Sequence, residues 1–292
     1  MKILITGANG QLGNELKSII RSGKAEIGEI SHEVKNSEVV ALDVEGLDIT
    51  NLDMVKAVLW REKPDVLINC AAATNVDGCE SNRDLAFKIN ALGPRNLAMV
   101  AEEIGAKVVQ VSTDYVFSGV GDTPLSEFDI PMPNSIYGKT KLMGENFVKD
   151  FSTKYFIVRT AWLYGHVGKN FVYTMINLGK QRNEIQVVND QKGNPTNAND
   201  LAYHILKLIL TEEYGVYHCT GNGECTWYEF AKLIMELSGE ECEVHPCTSE
   251  EYKTPAKRPE YSSLDNMMLR NTIGDEMRPW QDALKGFLKN RD

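Results

Sequence analysis

No apolar run in the sequence approaches the roughly 18 residues that a membrane helix needs, so no transmembrane segment is expected. Cysteine is scarce, six in 292 residues with no CxxC pair, which argues against a disulfide framework and for reduced structural thiols. A zinc site from Cys219, Cys225, Cys242 and Cys247, with His218 or His245, is the sharper alternative. Only the last pair has the usual ligand spacing, so no metal site is expected. Basic residues are also in deficit, 31 against 41 acidic, for a net charge of −10. Nucleic-acid binding needs a basic face to replace phosphate counterions, and is not expected here. A small diphosphate ligand is still compatible, since it needs only a helix N-terminus and one or two cations. Met1 to Gly7 already reads as a strand entering a turn, so no removable signal peptide is expected and the cytoplasm is the expected location.

What is present is an alternation of β-branched runs with amphipathic stretches. Strands are expected at Ile3 to Thr6, Val39 to Val44, Val66 to Cys70, Val108 to Ser112 and Phe156 to Thr160. Helices are expected at Leu12 to Ile20, Leu52 to Trp60, Asp84 to Ile104 and Tyr137 to Lys149. This is the pattern of βαβ units and a buried parallel sheet, so the fold class is α/β, a doubly wound Rossmann-type sheet with a smaller C-terminal substrate lobe. Residues 1–165 are assigned to the dinucleotide-binding domain, with 190–222 returning to it, and 166–189 and 223–292 to the lobe. Later elements are a helix near Asn170 to Gly179, a strand Ile185 to Val188, a helix from Asp200 to Leu210 and a strand near Val216 to Cys219. A helix from Trp227 to Gly239, a Pro-, Lys- and Glu-rich stretch from Val244 to Pro259 and a last helix around Trp280 to Leu288 follow.

Gly7-Ala8-Asn9-Gly10-Gln11-Leu12-Gly13 follows the first strand and opens the first helix. In that context glycines permit a tight turn and close backbone approach to a pyrophosphate, which the helix N-terminus attracts. Gly7, Gly10, Gln11, Leu12 and Gly13 are therefore candidate NADPH or NADH contacts. Asp43, near the end of the second strand, would accept hydrogen bonds from the adenosine ribose and repel a 2′-phosphate. It lies 30 residues beyond Gly13, against the usual ~20. An insertion between Gly23 and Ser37 is implied, and Asp48 is the rival.

A tyrosine with pKa near ~10 is a sluggish proton donor unless its phenolate is stabilised, and a lysine one helical turn later does this. At ~4 Å and an effective dielectric of ~20, the attraction is about 4 kcal/mol. Three YxxxK pairs occur: Tyr137/Lys141, Tyr203/Lys207 and Tyr228/Lys232. Only Tyr137 follows a strand with hydroxyls at its C-terminal end, VVQVST at 108–113, where doubly wound sheets place their ligand crevice. Tyr137, Lys141 and Thr113 are the catalytic candidates, and the other two pairs read as ordinary helix faces.

GANGQLG at 7–13 with Thr6 before it, NCAAATNVDGCE at 69–80, VSTDYVF at 111–117 and YGKTKLMGEN at 137–146 resemble the dTDP-4-dehydrorhamnose reductases, within the extended short-chain reductases. VRTAWLYG at 158–165, NDQKGNPT at 189–196 and AKRPEYSSL at 256–264 extend the likeness over nearly the whole chain. The resemblance implies reduction of dTDP-4-dehydro-L-rhamnose to dTDP-L-rhamnose. Thr113 would hold the C4 carbonyl oxygen, Tyr137 would protonate it, and Lys141 would hold the nicotinamide ribose. Ala71, Ala72 and Ala73 would line the cofactor. Thr74, Val76, Asp114 and Tyr115 would lie near the sugar or the cofactor, Trp162 would form a floor under the sugar, and Arg258 would meet the substrate diphosphate. Some relatives bind Mg²⁺ at a dimer interface, and Glu15 falls at one such position, but its partners are not identifiable in this sequence. A monomer and a homodimer both fit. Two other readings share much of this pattern: another nucleotide-sugar epimerase or dehydratase, and a non-catalytic regulatory subunit of the S-adenosylmethionine synthetase type. The intact Thr113, Tyr137 and Lys141 set weighs against the subunit. The motif STDYVF at 112–117 weighs against a dehydratase, whose counterpart resembles STDEVY with a Glu as base.

Overall fold

A computed structural model describes residues 1–290. Its strands are β1 (Lys2–Thr6), β2 (Glu38–Leu42), β3 (Val66–Asn69), β4 (Lys107–Thr113), β5 (Tyr155–Thr160), β6 (Glu184–Val188), β7 (Gly215–His218) and β8 (Glu243–Cys247), apart from several two-residue strands. The principal helices are α1 (Gln11–Ser22), α2 (Leu52–Glu62), α3 (Gly93–Ile104), α4 (Ile136–Phe151), α5 (Phe171–Gly179), α6 (Ala198–Leu208), α7 (Trp227–Ser238) and α8 (Trp280–Lys289).

Six strands form one parallel sheet in the order β7-β5-β4-β3-β1-β2. Strand residues alternate between its faces. Ile3 and Ile5 meet α1 and α6 on one side, through Leu12, Leu16, Ile19, Leu201 and Ile205. Leu4 meets α2 and α3 on the other, through Val55, Leu59, Leu97 and Val100. With both faces covered, the strands carry continuous apolar runs instead of a polar alternation. The chain leaves β1 for β2 on one side and reaches β3 on the other, so a crevice opens between the C-terminal ends of β1 and β3. A further core gathers Tyr164, Ile176, Val187, Phe230, Ile234 and Leu284 between α5, α7, α8 and the parallel β6/β8 pair. From the C-terminal part, Leu269 and Met277 pack into the core of the large sheet.

Two details depart from the sequence reading. The stretch from Val244 begins with a strand, since Val244 pairs with Ile185 and Cys247 with Val188. Pro246 is tolerated because this sheet has only two strands and so leaves an unpaired edge. The helix expected from Asp84 to Ile104 is broken into Arg83–Phe87, a π-helical turn Lys88–Leu92, and α3. Pro94 has no N–H for the Asn90 carbonyl, and the Gly93 N–H bonds the carbonyl of Lys88 five residues back. Between Gly23 and Ser37 lie a short hairpin, Lys24–Ala25 with Gly28–Glu29, and the helix His32–Lys35. These account for the long spacing from Gly13 to Asp43. Cys219 lies in the core of the large sheet, whereas Cys225 and Cys242 lie in the third core. Among the described residues, no three His, Cys, Asp or Glu side chains gather as a metal site, and no helix is long and apolar enough to cross a membrane. Glu15 accepts a hydrogen bond from Asn199 Nδ2 at 2.8 Å.

Candidate active site

The ends of β1, β2, β3, β4 and β5 open into one cavity of about 840 Å³, within the usual range for a ligand pocket. At one end is the glycine turn. Gly7 has φ +61°, and a Cβ there would stand 2.7 Å from the Ala71 backbone nitrogen, so β1 and the segment after β3 approach closely only because position 7 is glycine. Helix α1 then follows Gly10, its N-cap position, which has no side chain to cap it. Its first N–H groups are left for an anion.

Asp43 borders the cavity and braces this turn, accepting hydrogen bonds from the Asn9 N–H at 3.1 Å and the Val44 N–H at 2.8 Å. Its rival Asp48 also borders the cavity, but its carboxylate is engaged by the N–H and hydroxyl of Thr50. The cations lining the cavity are Lys141 and Lys169, and neither lies on the β2 end.

The middle is the alanine stretch after β3. Asn69, at the end of β3, accepts the Ala71 N–H at 3.2 Å. Asn90, in the π-helical turn, clamps Ala73 from both sides, accepting its N–H at 2.8 Å and donating to its carbonyl at 3.1 Å. Ala71 and Ala72 border the cavity, with Thr74 and Val76 beyond; Ala73 itself does not.

At the far end, Thr113 closes β4 and caps the short turn Asp114–Val116, accepting the Tyr115 N–H. Its hydroxyl donates to Asp114 Oδ1 at 2.8 Å and lies beside the Tyr137 phenol. Ser135 caps α4 through the Gly138 N–H, which sets Tyr137 in the first turn and Lys141 one turn later on the same face. The Lys141 ammonium donates to the Val111 carbonyl at 2.6 Å. Burial pulls Lys141 down to about 8, opposed by Glu145 and Cys70, and pushes Tyr137 above the usual phenol range. Burial also lifts Asp114 to about 6 and Tyr115 to about 12, the latter with the Asp114 charge added. Tyr115 meets the Tyr137 ring edge-on at 5.5 Å.

Trp162 borders the cavity just after β5 with φ +47°, a left-handed backbone that costs a non-glycine residue about 1–3 kcal/mol. Its indole stacks on that of Trp227, with centroids 3.5 Å apart and planes 8° from parallel, and Gly193 backs it from the NDQKGNPT stretch. Arg258 does not border the cavity. It donates to Asp77 Oδ2 at 2.9 Å and lies next to Tyr115.

Of the catalytic, cofactor and substrate candidates, all but Ala73 and Arg258 border this one cavity. Tyr203 and Lys207 do not: the ammonium sits over the Tyr203 ring and pairs with Glu276. Tyr228 packs against the third core. Sequence reasoning missed Asn90, Lys169 and Trp227. Asn90 and Lys169 carry no local signal. The capping box of Thr226 and Glu229 announces that a helix begins at Trp227, but nothing in it shows which way the indole faces.

A family model described as the RmlD substrate binding domain matches residues 1–292. The chain is similar to the crystal structure of a dTDP-4-dehydrorhamnose reductase, an RfbD ortholog, from Clostridium acetobutylicum, at 54% identity and a TM-score of 0.94 over 99% of each chain. It is also similar to dTDP-4-dehydrorhamnose reductase from Bacillus anthracis in complex with NADP, at 45% identity and a TM-score of 0.92 over 99% of each chain. The dTDP-4-dehydrorhamnose reductase of Aggregatibacter actinomycetemcomitans is 39% identical over 299 residues, covering 98% of each chain.

Proposed function

The chain belongs to the RmlD substrate binding domain family, and from that membership we propose that it is an NAD(P)H-dependent reductase that converts the C4 keto group of dTDP-4-dehydro-L-rhamnose to the alcohol of dTDP-L-rhamnose. The observation that carries this reading is the meeting of Thr113, Tyr137 and Lys141 at one end of a cavity whose other end is an uncapped helix behind a glycine turn.

The residues fit a dinucleotide. The uncapped α1 N-terminus would receive its diphosphate, Asp43 its adenosine ribose, Ala71 and Ala72 would flank it, and Lys141 would hold the nicotinamide ribose. When bound, the cofactor supplies the hydride. The protein's part is the carbonyl oxygen: the Thr113 hydroxyl turns from Asp114 to hold it, and the Tyr137 hydroxyl gives it a proton as negative charge develops. The Lys141 ammonium stabilises the phenolate left behind. Trp162 would floor the sugar, with Thr74, Val76, Asp114 and Tyr115 around it. Lys169 borders the cavity and would be available to a diphosphate, and Arg258, paired with Asp77 beside Tyr115 outside the lining, would have to turn inward to meet that of the substrate. The division into a dinucleotide-binding part, 1–165 with 190–222, and a substrate lobe, the cytoplasmic location and a monomeric or homodimeric state belong to the same proposal, with no role for nucleic acid.

The test is incubation with NADPH or NADH and dTDP-4-dehydro-L-rhamnose, following loss of nicotinamide absorbance and the product by mass spectrometry. Stoichiometric oxidation with a gain of two hydrogens is expected. Because Tyr115, held near 12, is a poor base for a carbon-bound proton, no loss of water from dTDP-glucose is expected. Dehydration would make the chain a dehydratase, and no oxidation with any nucleotide 4-keto sugar would favour the regulatory subunit. For the cofactor, Asp43→Ala is expected to improve kcat/KM for NADPH relative to NADH, because a carboxylate that repels the 2′-phosphate is gone. An unchanged ratio would move the ribose contact to Asp48 or elsewhere.

A further inference from the structure

Helix α4 carries a buried charge that the reaction just described does not use. Glu145 lies one turn beyond Lys141 on the same helix face and is 0% exposed. Its carboxylate accepts three hydrogen bonds, from Ser112 Oγ at 2.6 Å, Arg159 Nε at 2.9 Å and Arg159 Nη2 at 2.7 Å. Ser112 and Arg159 are register partners on β4 and β5, and Thr113 is the next residue of β4. Stability alone gives little reason for such a pair, since desolvation offsets the attraction and apolar side chains of similar volume would serve the core as well.

The contacts continue past the pair. Arg159 Nη1 stands 3.4 Å from His218 Nε2. An arginine only donates, so Nε2 accepts and Nδ1 carries the ring proton, donated to the Leu125 carbonyl at 3.0 Å. Burial, with Arg159 adding to it, pushes His218 down to about 3, so the ring stays neutral. Leu125 in turn exchanges backbone hydrogen bonds with Ser263 and Asp265, and Ser262 lies beside the Asp114 carboxyl group. The path leaves β4 at Ser112 and returns at Asp114, the residue after the strand, with Thr113 between.

We infer that Glu145 and Arg159 are positioning residues for the reduction, fixing Thr113 through Ser112 and holding α4 so that Tyr137 and Lys141 face it. The inference rests on the reductase reading. The titratable groups facing Lys141 are Glu145 from its own helix and the Cys70 thiol after β3. Those facing Tyr137 are Asp114 and Tyr115 after β4 and Cys79 from the helix Val76–Ser81. Glu145 favours the charged form of Lys141 against burial, so removing its charge lowers the pH at which that lysine loses its proton.

The test measures kcat against pH for the wild type, Ser112→Ala, Glu145→Gln and the double variant Glu145→Gln/Arg159→Met, with Tm and NADPH affinity alongside. Ser112→Ala keeps the ion pair, and the double variant strands no charge, so both are expected to fold and to bind NADPH. Their kcat is expected to fall about tenfold or more. In the Glu145 variants the alkaline limb of kcat is expected to move down by about one pH unit. A folded double variant with wild-type kcat and an unmoved limb overturns the inference and leaves the pair a structural one. If neither Glu145 variant folds, Ser112→Ala decides, and a wild-type kcat there overturns it. A wild type inactive on every nucleotide 4-keto sugar overturns the reductase reading instead, so the two failures are distinct.

Discussion

Tyr137→Phe is expected to lower kcat by roughly 10²- to 10⁴-fold while NAD(P)H binds as before, the signature of a lost general acid. Burial keeps the phenol fully protonated at neutral pH, so the wild-type residue begins each turnover as a donor. Phenylalanine retains the ring and its edge contact with Tyr115, and it removes only the hydroxyl that carries the proton. Lys141→Ala is expected to lower both turnover and cofactor affinity, since the same ammonium would hold the ribose. Steady-state kinetics on the keto sugar, with cofactor binding followed by fluorescence, separate the two variants. Tyr203→Phe is the control. Its ring lies on α6 under Lys207 and away from the cavity, and equal damage there would move the acid to another helix.

A second large effect is expected from one methyl group. Gly138 follows the proposed acid, and a Cβ at that position would land on the Tyr115 carbonyl oxygen, with Pro133 Cβ only 3.0 Å away on another side. Neither neighbour is the loose end of a flexible side chain, so α4 itself must shift. Overpacking of this kind costs about 1–3 kcal/mol. Displacing the acid by ~1 Å costs about 10²-fold in rate. Gly138→Ala is therefore expected to remain folded with a lowered Tm and to lose kcat by about 100-fold or more. Calorimetry and steady-state kinetics on the same sample check both, and near-wild-type turnover would mean that α4 tolerates displacement.

The parallel sheet and most of its helices were legible because the apolar patterns match their environments: continuous where both faces are covered, and spaced at Leu12, Leu16 and Ile19 where one helix face is buried. Choosing Tyr137 among three YxxxK pairs needed only the hydroxyl-bearing strand before it. Asn90 was illegible for the opposite reason. Its importance comes from a π-helical turn that aims its amide at Ala73, and one asparagine inside a helical pattern announces nothing of the kind. The strand at Glu243–Cys247 was hidden by Pro246, which argues against a central strand but not against a two-stranded edge. Arg258 was legible as a cation near the site, while its partner Asp77, 181 residues away, was not. Trp227 was legible as the start of a helix, yet its place on Trp162 is decided only when two distant parts of the chain pack together.

That stack of aromatic rings gives the molecule a spectroscopic property. Two of its four tryptophans hold their indoles almost parallel, face to face at 3.5 Å, close enough for their electronic transitions to couple and for the pair to respond to light as a single chromophore. One indole is fixed to the backbone leaving the large sheet and the other to the first residue of α7, so the coupling depends on the angle between those two elements. Near-ultraviolet circular dichroism of the unlabelled wild-type chain therefore acts as an internal protractor beside the cavity that both indoles border, reporting any rotation of one element against the other as a ligand enters.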